Sequence, residues 1–108
     1  AGIEAFETDD ELYHLECHEP IEVLLETECH EPSPGFVEGD QAIGKHPVCY
    51  LKSHGEGAVL YLSIGHARSH HDMRPLIEYW NSEDRGAWAR PAFYELLRRG
   101  IRWMKREL

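Results

Sequence analysis

The first 44 residues contain no lysine and no arginine. They carry thirteen acidic residues. A front half of that sign repels phosphate backbones and anionic lipid, so neither nucleic acid nor a membrane surface is an expected partner. No apolar run approaches the ~20 residues that span a bilayer. No cationic, then apolar, then small-residue opening marks a secretory signal. The start AGIEAFETDDELY also has no methionine, which leaves room for a cut from a longer chain. Cysteine is scarce and odd in number, at Cys17, Cys29 and Cys49. That count argues against a small disulfide-stapled fold and points to a reducing, cytoplasmic compartment. There is no G-x-S-x-G elbow, no G-x-x-x-x-G-K-[ST] loop and no G-x-G-x-x-G turn.

What is present fits one small domain, or the C-terminal portion of one, over residues 1–108. The formal net charge is −9, and all eleven basic residues fall after residue 44. The densest basic run, Arg98, Arg99, Arg102, Lys105 and Arg106, ends an apparent helix, where cations complement the macrodipole.

The pattern of apolar residues predicts an α/β chain. Thr8-Asp9-Asp10-Glu11 reads as a capping box for a short helix over 9–15. Ile21, Val23 and Leu25 alternate with Glu22 and Glu26, a period-two strand. Prolines and glycines make 29–45 a long loop. His46–Ser53 and Ala58–Gly65 flank His54-Gly55-Glu56-Gly57 and predict an antiparallel hairpin. The second run, AVLYLSIG, reads as a strand covered on both faces. Pro75 is expected to open a short helix through Trp80, and Pro91 a longer one. On that last helix Phe93, Leu97, Gly100, Ile101, Met104 and Leu108 fall on one stripe, widened by Leu96 and Trp103. One good helix leaves a two-faced strand half covered, so a second copy or a missing N-terminal half is expected to supply the rest.

Three clusters can carry chemistry. The pentapeptide Glu-Cys-His-Glu-Pro occurs at Glu16–Pro20 and again at Glu28–Pro32. A strand rising ~3.3 Å per residue holds the two copies ~25–30 Å apart, so they could share a zinc ion only if that segment were not a strand. Gly65-His66-Ala67-Arg68-Ser69-His70-His71-Asp72 follows the apolar strand, where ligands of open α/β sheets sit. His66 there can act as acid or base near neutral pH. His66 with His70 or Asp72 can hold zinc or a similar divalent ion, and Arg68 an anion. A solvated polar loop is the alternative. Asp9, Asp10 and Glu11 can bind a cation or serve as carboxylate partners, or simply cap a helix.

Asp10-Glu11-Leu12-Tyr13, the strand near Ile21–Leu25, and Gly55 to His66 in the order GEGAVLYLSIGH resemble the C-terminal half of ThuA-like (trehalose-utilisation) domains. GHARSHHDM and RPAFYELLRRGIRW are similar to one branch of that family, although Glu56 and Ala58 stand where it tends to have a base. The resemblance implies part of a flavodoxin-like three-layer sandwich, like that of class I glutamine amidotransferases, with a C-terminal hairpin and closing helix. It also implies a role in sugar metabolism, acting on a small carbohydrate derivative. His66 and Glu11 would then be catalytic, and Asp10, Tyr13 and Arg68 ligand-binding. No cysteine lies in a nucleophile-elbow setting, so glutaminase chemistry is not expected. A non-catalytic sugar- or metal-binding module and a structural half-domain are the competing expectations.

Overall fold

A computed structural model describes residues 2–32 and 43–106. The chain divides into two compact units, Leu12–Ser63 and the pair of segments Ala1–Glu11 and Ile64–Leu108. Together they make a mixed α/β protein. No helix among the described residues is long and apolar enough to cross a membrane.

The Leu12–Ser63 unit is a three-stranded antiparallel sheet in the order β1 (Glu22–Cys29), β2 (Gly44–His54), β3 (Gly57–Leu62). The hairpin predicted around Gly55 forms, with His54 opposite Gly57 and Lys52 opposite Val59. Gly55 takes φ 57, at the first central slot of a two-residue turn, which favours glycine there. Stacked Tyr50 and Tyr61, 4.8 Å between ring centroids, tie β2 to β3. The strand read near Ile21–Leu25 extends to Cys29. Its pairing is irregular between Val23 and Glu26, next to the Glu26–Pro47 pair. Pro47 has no N–H to donate, so the ladder is weakened there. Of the long loop expected over 29–45, Cys29 closes β1 and Gly44 opens β2. Residues 33–42 lie outside the described residues.

Two expectations about this unit need correction. AVLYLSIG is not a strand covered on both faces: β3 is an edge of the sheet, and Val59 is 52% exposed. The buried strand is the central β2, through His46 and Cys49. The apolar run misled because hydropathy does not record a strand's place in the sheet.

The second unit centres on α1 (Pro91–Met104). Pro91 at the first turn fixes a helical φ where no N–H is needed. Phe93 and Gly100 are buried, whereas Leu97, Ile101 and Met104 are exposed. The covered face is therefore narrower than the stripe predicted. A 3-10 turn over Gly86–Ala89 places Ala87 in the core. The helix expected over 75–80 is absent; residues 70–76 form turns instead. Leu76 is 85% exposed there, so no apolar contact draws that segment into a helix. The helix expected over 9–15 is also absent. Thr8 does not cap a turn there, since its hydroxyl donates to the Asp9 carbonyl, and the Asp10 carboxylate accepts N–H groups of Glu11, Gly65 and His66.

Candidate active site

The site lies in the unit that holds both residues 1–11 and 64–108. Its scaffold is main chain. Oδ2 of Asp10 accepts the Gly65 N–H at 2.8 Å, and Oδ1 accepts the N–H groups of Glu11 at 2.8 Å and His66 at 3.3 Å. Gly65 takes φ 125, in the region that favours glycine. A Cβ there would meet the Phe93 ring at 3.1 Å. Trp88 closes the far side: its Nε1 donates to the Gly65 carbonyl at 2.8 Å, and its ring meets Phe93 edge-on at 4.9 Å.

That scaffold brings Glu11 to His66. Oε2 of Glu11 stands 3.0 Å from Nδ1 of His66. The other ring nitrogen, Nε2, is buried without a hydrogen-bond partner. A carboxylate on Nδ1 selects the tautomer with its proton there and leaves the Nε2 lone pair as a base. The Glu11 and His66 side chains are 49% and 30% exposed, but that exposure does not extend to the buried Nε2.

The remaining predicted residues do different things. Both oxygens of Asp72 accept from Ser69, from its N–H at 2.6 Å and its hydroxyl at 2.7 Å. These bonds, backbone first, hold the Asp72 carboxyl below its usual range, helped by Arg68 and His66. His70 donates from Nδ1 to the Trp80 carbonyl at 2.6 Å and stacks on Tyr79, with Glu83 3.8 Å from Nε2. Arg68 exchanges two backbone hydrogen bonds with Asp84. No group of three His, Cys, Asp or Glu side chains among the described residues is arranged to hold a metal ion. Of the residues expected to bind a divalent ion, Asp72 is engaged by Ser69 and His70 by the Trp80 carbonyl, while His66 faces Glu11.

Tyr13 is 46% exposed and belongs to the Leu12–Ser63 unit. That unit has a cavity of its own, about 230 Å³, lined by Cys17, His18, Glu19, Tyr50 and Lys52 among others. Lys52 binds Glu19 across it at 2.8 Å. Glu16 to Glu19 of the first Glu-Cys-His-Glu-Pro motif line it, and the second motif begins on β1, at Glu28 and Cys29. His18 and Glu16 of this cavity stand 3.9 Å apart, and both side chains are exposed, whereas Glu11 and His66 stand 3.0 Å apart.

Sequence reasoning missed Trp88 as a site residue and Asp10 as a main-chain clamp. Gly86, two residues before Trp88, was the nearest signal in the sequence. Comparison with protein-family models, with curated proteins and with solved structures returned no match.

Proposed function

We propose that this chain is a ThuA-like domain of sugar metabolism in which His66 Nε2 acts as a general base on a small carbohydrate derivative. The observation that carries the reading is the Glu11–His66 contact of 3.0 Å together with the unpartnered, buried Nε2. Glu11 orients the ring and stabilises the imidazolium that forms when Nε2 takes a proton from a hydroxyl or water. Trp88, 41% exposed beside Gly65, offers an apolar ring of the kind that stacks on a sugar. Within this reading the chain forms the C-terminal portion of a flavodoxin-like three-layer sandwich, completed by a second copy or by an N-terminal half.

The test is incubation with trehalose and a set of glycosides and sugar esters, with product followed by chromatography. Turnover by the wild type that His66→Ala abolishes supports the proposal. His66 is partly exposed and Nε2 has no partner to lose, so the same substitution is expected to change stability by about 1 kcal/mol or less. A much larger loss would mark His66 as structural and defeat the reading. The exposed Trp88 ring also favours a second reading, sugar binding without turnover; saturable shifts of the Trp88 indole signal with no product would assign the site to it.

A further inference from the structure

The carboxylate beside the dyad has a different task from the dyad itself. Asp10 accepts three backbone N–H groups, from Glu11, Gly65 and His66. Two of them lie more than fifty positions away in sequence. Carboxylate–amide bonds of this kind are charge-assisted and directional. Gly86 packs against the same crossing: at φ 47 an added Cβ would stand 2.6 Å from the His66 carbonyl and 2.8 Å from that of Asp9. Gly86 therefore sits against the main-chain carbonyls of both Asp9 and His66.

We infer that Asp10 is the positioning residue of the pair. Its carboxylate fills a cradle of main-chain N–H groups and thereby sets the separation of Glu11 from His66. The sequence pattern suggested a ligand-binding role for Asp10, but both of its oxygens already hold backbone. A ligand would face Glu11 and the exposed part of the His66 ring. The inference rests on the dyad reading in one respect, that the Glu11–His66 pair is what Asp10 positions. A cradle built for a carboxylate should also accept a free one: with the side chain removed, formate or acetate can occupy the same three N–H groups.

The experiment is ¹⁵N NMR of the His66 ring in the full chain at neutral pH. In the wild type the Nδ1-protonated tautomer dominates. Asp10→Ala is expected to move both ring nitrogens toward the tautomer mixture of a solvated imidazole. Excess sodium formate restores the wild-type shifts, and sodium chloride at equal ionic strength does not. Asp10→Asn keeps one acceptor oxygen and gives an intermediate spectrum; it decides the question if the alanine variant fails to fold. Unchanged His66 shifts in the folded variants overturn the inference. So does a shift that formate leaves unreversed, since that would be general loosening. Glu11→Gln separates the two claims. If it moves the His66 signals and the Asp10 variants do not, the inference fails alone; if Glu11→Gln moves nothing, the dyad reading fails.

Discussion

Cys17, Cys29 and Cys49 are all free thiols and stand at three depths: exposed, intermediate and buried. Burial pushes the Cys49 thiol above its usual range, which lowers its thiolate fraction as well as its access. Iodoacetamide at neutral pH is therefore expected to label Cys17 first, Cys29 next, and Cys49 only as the sheet opens. Mass spectrometry of a time course checks the order, and early labelling of Cys49 would show β2 to be accessible. At this scale the sequence disclosed the reactive side chains but not their assignments. His66 and Glu11 could be paired from the Gly-His ending of one segment and the Asp-Glu-Leu-Tyr of another. The engagement of Asp10 and Asp72 could not, because each depends on which backbone N–H groups tertiary structure brings within reach.

At the scale of elements, local signals held where neighbouring residues settled the matter. Gly55 in its turn and Pro91 at a helix start each act over a few positions. Gly55→Ala is expected to cost the sheet about 1–2 kcal/mol, because an L-residue resists left-handed φ. Urea unfolding followed by tryptophan-independent circular dichroism measures it. The failures were the short helices at 9–15 and 75–80, where a capping pattern or a proline was present but no apolar face was buried. Within α1, Glu95 bonds bidentately to Arg98 and singly to Arg99. The two arginines hold its carboxyl at about 2, against 4.5 ordinarily. A depressed carboxyl contributes stability above its unfolded value and loses it as pH falls through its folded value. The difference in helicity between the wild type and Glu95→Gln should thus persist down to pH 4.5 and vanish between there and about pH 2. A difference that does not change with acidification would show these contacts to be absent in solution.

For the whole molecule, the uncovered face of α1 matters most. Tyr94, Leu97, Ile101 and Met104 recur at helical spacing, and all are exposed. An apolar stripe of that kind on a chain is an association surface when nothing else covers it. Self-association at micromolar concentration is the expected result by sedimentation, weakened by Ile101→Glu. A monomer whose sedimentation the substitution leaves unchanged would rule this surface out. The sequence suggested association for other reasons, a strand to be covered on both faces and an unpaired edge; β3 is an edge strand with Val59 exposed.

The Asp10 to Gly65 hydrogen bond joins positions 55 residues apart. Between them Leu12 to Ser63 is the other unit, inserted into the chain of the first. Closing a loop has an entropic cost that rises with the logarithm of its length, by about 0.6 kcal/mol for each doubling. A folded three-stranded sheet replaces most of that loop with fixed structure, so the free length left to close is short. The Asp10–Gly65 hydrogen bond thus joins the two segments of one unit near the points where the Leu12–Ser63 segment leaves and rejoins it in sequence. A proline placed in β2, although it touches no site residue, would lengthen the free loop and raise the hydrogen exchange of the Gly65 and His66 amides.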